Sequence, residues 1–352
     1  MKRPRLLELG FALLPALLLL AGAELGLRAL GFRYQRSPGY MQFAYPSPAE
    51  LHRVFLPDPL LLWRMQPGYD FGQGYPKLNE QGFRGPDIPL AKTPGTFRVA
   101  CLGDSVTFGL PAADYPSLLQ RYLAAGLPGK QAQVFNFGVP GYSSWQGRQL
   151  LAREALPARP DVVTVLFGWN DHWLVQGFSD HEQQAQNLGL FMLRDLLARL
   201  RSYQALNYLA SRLRPAESEE LKLRVPGDRF RENLLAMVRA GREQGVTVVL
   251  GTAPAGFGLD SIPDFFTALG FIRANADLEP LHRRYNQLVR EVGREENVPV
   301  ADLETVFQER GVENFFDHPE KDIIHPNARG LELIARTLAD AIAASRPGAG
   351  GK

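Results

Sequence analysis

Short stretches of the sequence carry side chains that could together perform nucleophilic catalysis on a carbonyl group. Ser105 lies in Gly103-Asp104-Ser105, directly after an apolar run, where a glycine turn would expose its hydroxyl. Asp322 and His325 are three residues apart, so a carboxylate and an imidazole can face the same point. In this arrangement Ser105 would be the nucleophile, His325 the general base and Asp322 the residue that orients the imidazole.

Each of these stretches also has a purely structural interpretation. Gly-Asp-Ser is common in turns and helix caps, and Asp322 could simply cap a helix. Pro326 keeps His325 out of helical conformation and suits the first turn of the helix that follows. Asp317 is a second candidate for the orienting carboxylate, and we rank it below Asp322.

Two further stretches could supply donors for the oxyanion that forms during acyl transfer. Gly138, in Asn136-Phe137-Gly138, has no side chain to block its N–H, and the side-chain amide of Asn170 can donate while it stays neutral. Together with the N–H of Ser105, they are the expected oxyanion donors. Asp104 and Asp171 are expected to hold their turns through side-chain to backbone hydrogen bonds.

Aromatic residues close to these donors are candidates for the wall of a substrate pocket. They are Tyr142, His172 and Trp173, for which a role in the core is an equally good interpretation. His181 and Glu182 resemble the start of a zinc motif, but no second histidine follows four residues after His181. The sequence therefore predicts no metal site there.

The elements that must position these residues alternate between strand and helix from residue 97 onward. Apolar runs typical of buried strands occupy residues 97–102, 132–137, 162–167, 246–250 and 298–301. Helical patterns occupy residues 115–125, 144–156, 228–244, 278–295 and 327–344. This alternation predicts an α/β fold with a five-stranded parallel sheet covered by helices on both faces. Ligands of such sheets bind beyond the carboxyl ends of the strands, where the candidate residues lie.

In order along the chain, the stretches around Ser105, Gly138, Asn170 and His325 resemble blocks I, II, III and V of the SGNH (GDSL-type) hydrolase superfamily. The resemblance spans residues 103–326, with valine in place of the leucine of the Gly-Asp-Ser-Leu form. It implies a flavodoxin-like three-layer α/β/α fold and the triad and oxyanion donors named above, with no metal and no cofactor.

Residues 1–32 have the pattern of a membrane anchor or a signal peptide. Three basic residues, Lys2, Arg3 and Arg5, precede an apolar stretch from Leu9 to Leu30. As a helix this stretch would span about 33 Å, enough to cross a bilayer. An uncleaved single-pass anchor with an extracytoplasmic body is preferred, because apolar character continues past the candidate cleavage site Ala21-Gly22-Ala23. The alternatives are a secreted or periplasmic body after cleavage and a buried helix of a soluble protein.

The remaining segments differ in composition from the α/β region. Residues 33–96 are rich in proline and aromatic residues, which predicts an extended arm with short strands packed onto a domain at 97–345. Within the arm, Asn79-x-x-Gly82-Phe83-Arg84 is similar to a stretch of membrane-tethered bacterial SGNH proteins. Residues 172–227 are predicted to be a helical insertion, either a lid or a structural hairpin, and residues 346–352 a disordered tail.

Composition excludes several classes of protein. A net charge of +2 gives no strong field for nucleic acid, and a single cysteine, Cys101, allows no disulfide or cysteine metal site within one chain. Cys101 is expected to be a buried strand residue.

These features predict a serine esterase that removes an O-acyl group, for example acetyl, from a carbohydrate or another hydroxylated substrate. The alternatives are an O-acyltransferase that passes the acyl group to an exported glycan and a catalytically silent glycan-binding protein. The motifs do not separate hydrolysis from transfer, because the two reactions differ only in the second acceptor. The expected partners are a small-molecule or glycan ester and, through the N-terminal helix, a membrane. The sequence does not indicate an oligomeric state.

Overall fold

The computed structural model describes residues 4–34, 53–126, 129–176, 178–183, 188–213 and 221–346. Their contacts divide the chain into two compact units. A smaller unit comprises the described residues of Met1–Pro38 and Ala185–Glu219, and a larger unit comprises those of Gly39–Gln184 and Glu220–Lys352. Except for Arg346, the predicted tail lies outside the described residues.

The strands are β1 (Phe55–Asp58), β2 (Leu62–Met65), β3 (Thr96–Gly103), β4 (Gln131–Gly138), β5 (Val162–Leu166), β6 (Leu174–Gln176), β7 (Leu221–Leu223), β8 (Thr247–Gly251) and β9 (Val300–Ala301). The α-helices are α1 (Pro4–Ala29), α2 (Ser105–Phe108), α3 (Tyr115–Gly126), α4 (Ser144–Leu150), α5 (Leu188–Ala198), α6 (Arg201–Leu213), α7 (Gly227–Glu243), α8 (Phe265–Ala268), α9 (Leu278–Glu295), α10 (Leu303–Glu309) and α11 (Ala328–Ala344).

The central sheet of the larger unit has the strand order β4-β3-β5-β8-β9, and all its pairings are parallel. This is the doubly wound order of flavodoxin-like folds: β4 is added on one side of β3, and β5, β8 and β9 are added on the other. The predicted five-stranded parallel sheet is therefore confirmed. This strand order places the carboxyl ends of β3, β4 and β5 side by side, and candidate residues come directly after each of these ends.

An apolar core lies on each face of the sheet, as the apolar runs predicted. Along β3 successive side chains enter opposite cores, with Ala100 and Leu102 on one face and Val99 and Cys101 on the other. Cys101 is fully buried, and burial raises the pKa of its thiol to about 12. The predicted helix at 144–156 is α4 followed by a π-helical turn at 151–155 and a 3-10 turn at 156–158, which contains Pro157. The irregular end is expected, because proline lacks the N–H that an α-helix requires.

The predicted arm packs on the α/β region through its described residues 53–96, which belong to the larger unit. β1 and β2 form an antiparallel hairpin, and Trp63, Met65 and Phe83 are buried in the same apolar core as Leu102 of β3. Residues 53–96 therefore share the apolar core of the larger unit.

The predicted insertion at 172–227 is divided between the two units. Its ends pair as the antiparallel strands β6 and β7 in the larger unit, whereas α5 and α6 lie in the smaller unit with α1. There Glu24 accepts hydrogen bonds from the N–H (2.8 Å) and the hydroxyl (2.9 Å) of Ser202. The described residues contain no helix both long and apolar enough to cross a membrane.

Candidate active site

Ser105, His325 and Asp322 form a continuous line of hydrogen bonds, although 220 residues separate the serine from the histidine. The distance from His325 Nε2 to Ser105 Oγ is 2.7 Å, and the distance from His325 Nδ1 to Asp322 Oδ2 is also 2.7 Å. The other carboxylate oxygen of Asp322 accepts the backbone N–H groups of Ile324 (2.8 Å) and His325 (3.0 Å). The carboxylate therefore fixes both the backbone turn and the imidazole.

The charges around His325 favour its protonated form. Burial lowers the pKa of His325, but the hydrogen bond and the charge of Asp322 and the charge of Asp104 raise it, so that it lies above its usual value of 6.5. Burial raises the pKa of Asp322, but its hydrogen bonds with His325 and Ile324 and the charge of His325 lower it below 3.8. Asp322 is therefore ionised at neutral pH, and its charge would stabilise an imidazolium formed by proton transfer to His325.

The turn before Ser105 determines where the hydroxyl points. Asp104 caps α2, because its Oδ1 accepts the N–H of Val106 at 2.9 Å. A Cβ atom on Gly103 would lie 1.9 Å from Thr107 Oγ1, so only glycine allows the end of β3 and α2 to pack this closely. Ser105 is half-buried at this edge of the sheet.

Asn170 lies next to this turn, as expected from its place after β5. Its side-chain NH2 donates to Asp104 Oδ2 at 3.1 Å. An amide NH2 has two N–H bonds, so Asp104 holds the side chain with one and leaves the other as a donor. Asp104 is 2% exposed, and burial raises the pKa of its carboxyl to about 6.

The expected role of Gly138 needs a correction. Its N–H donates to the side-chain oxygen of Asn136 at 2.9 Å, so this amide is already paired. A Cβ on Gly138 would lie 2.3 Å from the backbone nitrogen of Phe108. Glycine is required here because the end of β4 presses directly on α2, the turn that carries Ser105.

Sequence reasoning missed the other glycine of the turn after β4. Gly141 has φ +81°, in the left-handed region that favours glycine. Arg224 holds this peptide by donating to Gly141 O at 2.9 Å. Among the residues that the structure describes, none accepts a hydrogen bond from the Gly141 N–H. One sequence does not show which glycine of this turn has a positive φ, and Gly138 fits the motif as well as Gly141 does.

The three residues expected to line a pocket are buried instead. Tyr142 donates its hydroxyl hydrogen to Trp63 O at 2.6 Å, and Trp173 stacks on Phe266. His172 is fully buried, and its Nε2 lies 3.1 Å from His282 Nδ1. The expectation is wrong for all three, because residues after β4 and β5 turn back into the cores of the sheet.

The two remaining acidic candidates contact backbone or asparagine. Asp171 Oδ1 accepts the N–H of Ser144 at 2.9 Å and so holds the start of α4, the turn-holding contact expected of it. Asp317 Oδ1 accepts from the side chain of Asn327 at 2.6 Å. Asp322, and not Asp317, is the carboxylate hydrogen-bonded to His325.

The arm contributes a contact that the sequence did not reveal. The guanidinium of buried Arg84 donates to the carbonyl oxygens of Leu110 (2.6 Å) and Phe108 (3.2 Å). Its Nε lies 3.1 Å from Asp114 Oδ2. Arg84 therefore fixes the end of α2, three residues after Ser105, from outside the predicted hydrolase domain.

The geometry of the arm explains why its motif has this form. Asn79 Oδ1 accepts the N–H of Phe83 at 2.8 Å, and its Nδ2 donates to Pro86 O at 2.9 Å. Gly82 has φ +83°, and a Cβ there would meet Met65 O at 2.6 Å. These contacts form the tight turn that directs Arg84 onto the segment after Ser105.

Comparison with known proteins agrees with this geometry. The sequence model of the GDSL-like lipase/acylhydrolase family matches residues 101–333, about two thirds of the chain, including all three residues of the hydrogen-bonded line. No curated protein sequence matches the chain.

Solved structures with similar folds share little sequence with this chain. A lipase/acylhydrolase from Enterococcus faecalis is 21% identical, covers 70% of this chain and 96% of its own length, and has a TM-score of 0.44. The acetylxylan esterase Axe2 from Geobacillus stearothermophilus is 17% identical, covers 70% of this chain and 94% of its own, and has a TM-score of 0.45.

Proposed function

The chain belongs to the GDSL-like lipase/acylhydrolase family, whose activity is the hydrolysis of carboxylic esters, and on this premise we propose that it is a serine esterase acting through an acyl-Ser105 intermediate. The observation that carries the proposal is the hydrogen-bonded line from Asp322 through His325 to Ser105, with both distances 2.7 Å.

In the first half of the reaction, Ser105 Oγ attacks the carbonyl carbon of the ester and His325 Nε2 takes the hydroxyl proton. The carbonyl oxygen becomes an oxyanion, for which the backbone N–H of Ser105 and the free N–H of the Asn170 side chain are the proposed donors. Gly141 replaces Gly138 as the proposed third donor, because the Gly138 N–H is held by Asn136. The bond to the alcohol oxygen then breaks, and His325 returns its proton to that oxygen.

In the second half, water attacks the carbonyl carbon of acyl-Ser105 and His325 Nε2 takes a proton from it. The bond between the acyl carbon and Ser105 Oγ then breaks, His325 returns the proton to Oγ, and the carboxylic acid is released. Solvent access supports water as the acceptor, since the side chains of His325 and Asp322 are 33% and 44% exposed. We propose hydrolysis in preference to transfer for this reason. The proposed substrate is an O-acyl ester, such as an acetyl ester, of a carbohydrate or another hydroxylated compound.

The central test is covalent labelling with a fluorophosphonate together with turnover of p-nitrophenyl esters of short and long acyl chains. The wild-type protein should be labelled at Ser105 and should turn over at least one ester, whereas Ser105→Ala should do neither. Ser261→Ala, at an exposed serine of the same unit, is the matched control and should behave like the wild type. Labelling that persists in Ser105→Ala would contradict the proposal.

A second experiment separates hydrolysis from transfer. Acetylated oligosaccharides are incubated with the protein in the presence of an unacetylated sugar acceptor, and the products are followed by mass spectrometry. Free acetate as the main product is the result expected of an esterase. Acetyl groups that move mainly to the added acceptor would assign the O-acyltransferase reaction instead.

We further propose that the N-terminal segment directs the body out of the cytoplasm, because three basic residues precede the apolar stretch. Protease added outside intact cells or spheroplasts should degrade the body. The mass of the mature chain distinguishes the two alternatives. A full-length chain indicates an uncleaved anchor, and a chain that begins after Ala23 indicates a cleaved signal peptide. Protection of the body inside intact spheroplasts would contradict this part of the proposal.

A further inference from the structure

Exposed apolar side chains are concentrated in the smaller unit. Of the 17 large apolar residues that are exposed among the described residues, 14 belong to it, seven from α1 and the turn after it and seven from α5, α6 and their connection. The larger unit, although much longer, exposes only Leu90, Phe178 and Leu269 within the described residues. An apolar surface of this kind marks a binding face.

The exposed leucines of α1 whose side chains the structure describes lie on all sides of the helix. The four consecutive residues Leu17–Leu20 are 58–75% exposed. Successive helical residues are about 100° apart, so four in a row cover most of the circumference. A single protein partner packed on one side would leave part of them in water, whereas an apolar phase that surrounds the helix would cover them all.

The hairpin of α5 and α6 adds a second apolar surface to the unit. One face of α6 contacts the N-terminal segment, where Gln204 accepts a hydrogen bond from the Tyr34 N–H at 3.0 Å and Tyr208 packs on Tyr34. Leu206, Leu209 and Leu213 have the i, i+3, i+7 spacing of a different helical stripe and are all exposed. The contacts with the N-terminal segment therefore leave this stripe uncovered.

The charges of the hairpin indicate what covers its apolar side chains. Residues 188–213 contain four arginines and one aspartate. Arg194, Arg199 and Arg212 are exposed. Leucine beside arginine fits the boundary of a bilayer, where acyl chains cover the leucines and phosphate headgroups pair with the guanidinium groups.

We propose that α1 is embedded in an anionic phospholipid bilayer and that the hairpin of α5 and α6 is seated in the surface of the same bilayer. This goes beyond a tether at the N-terminus alone, because it gives the protein a second membrane contact more than 150 residues further along the chain. The proposal requires that α1 is not cleaved from the mature chain, but it does not depend on the esterase reaction. Its failure can therefore be distinguished from a failure of the triad.

The test places a fluorescent probe on the hairpin of the full-length chain. Cys101 is fully buried, so an introduced cysteine is the only exposed thiol among the described residues. Leu209→Cys, with Leu206→Cys as its repeat, is labelled with a nitrobenzoxadiazole (NBD) reagent and reconstituted with phosphatidylcholine–phosphatidylglycerol vesicles. Leu269→Cys, an exposed leucine of the larger unit, and Asn207→Cys, on another face of α6, are the matched controls.

Probes at 206 and 209 should shift their emission to shorter wavelength and be quenched by lipids brominated in the acyl chain. The probe at 269 should respond only to aqueous iodide, and the probe at 207 should respond less to the brominated lipid than the probe at 209. Arg194→Gln combined with Arg212→Gln should weaken the response with phosphatidylglycerol more than with phosphatidylcholine alone.

Two results would overturn the proposal. One is quenching of the 206 and 209 probes by iodide alone while the chain is bound to vesicles, which would leave the hairpin in water. The other is an emission shift without vesicles that increases with protein concentration, which would assign the stripe to a second copy of this chain. Esterase turnover of a soluble ester, measured in parallel, reports that the larger unit is intact.

Discussion

Asp322 combines three contacts in one carboxylate, since one oxygen meets the imidazole and the other meets two backbone N–H groups. In the tautomer that donates its Nδ1–H to Asp322, Nε2 of His325 is left as the proposed acceptor of the Ser105 proton. The orientation of His325 therefore depends on one neighbouring side chain, whereas both Asp322 and Asp104 raise its pKa.

The pH dependence of activity follows from the same contact. His325 must be neutral to accept a proton, and its pKa lies above 6.5 because Asp322 and Asp104 outweigh the effect of burial. We expect kcat/KM for a p-nitrophenyl ester to fall as pH decreases through a midpoint above 6.5. A profile that stays flat from well above this midpoint to well below it would exclude His325 as the base.

Asp322→Asn should alter both the rate and this profile. The substitution removes the charge that raises the pKa of His325, so the midpoint of kcat/KM should move to lower pH. The same change in serine protease triads lowers kcat by about 10⁴-fold, and we expect a loss of about 10³- to 10⁴-fold. Asp317→Asn is the control and should retain both rate and profile, because Asp317 contacts Asn327 and not the imidazole.

At the scale of elements, the end of β4 and α2 are in direct contact. Gly138→Ala would place a Cβ 2.3 Å from the Phe108 nitrogen and 2.7 Å from the Thr107 carbonyl carbon, so backbone must move. We expect unfolding in urea to show a loss of about 1–3 kcal/mol, and turnover to fall because the displaced segment carries Ser105. Gly126→Ala, where a Cβ meets nothing within 4 Å, should leave both unchanged.

Arg84 connects the arm to the same segment from the other side. Arg84→Met removes the hydrogen bonds to Phe108 O and Leu110 O and leaves the carboxylate of Asp114 without its ion pair. We expect kcat and the rate of fluorophosphonate labelling to fall by about 10- to 100-fold, with KM little changed, because the nucleophile is misplaced and not the substrate.

Arg64→Met is the matched control for this experiment, since Arg64 is an exposed arginine on β2 of the same arm. Arg84→Lys should recover part of the rate, because an ammonium group can still pair with Asp114. If Arg84→Met lowers thermal stability but the folded fraction keeps the full labelling rate, Arg84 has a structural role only.

At the scale of the whole molecule, the three residues of the proposed triad lie in the larger unit. The insertion leaves and re-enters that unit at adjacent points, because Gln176 of β6 pairs with Leu221 of β7. We expect a variant that begins at Gly39 and replaces residues 185–219 with a short Gly-Ser linker to keep kcat/KM on a soluble ester within about twofold, since short loop changes cost little. Loss of turnover in a folded variant would show that the smaller unit takes part in catalysis.

The sequence by itself predicted the parallel sheet and its helices, and it singled out Ser105, Asn170, Asp322 and His325, which the structure places at one edge of the sheet. Each of these depends on local information, namely the apolar period of a strand or helix and the residue types at strand ends. In a parallel sheet, strand ends meet at one edge, so local order predicts which loops converge. The tight Asp322-x-x-His325 spacing already favoured Asp322 over Asp317 as the carboxylate next to His325.

Only the tertiary structure decided which groups face the site and which face the core. The side-chain directions of Tyr142, His172 and Trp173 depend on how their loops fold back, and the N–H of Gly138 is paired through the side chain of Asn136. Arg84 and the α5–α6 hairpin make their contacts with segments distant in sequence. Such contacts depend on the packing of whole elements, for which the spacing of residues along the chain carries no signal.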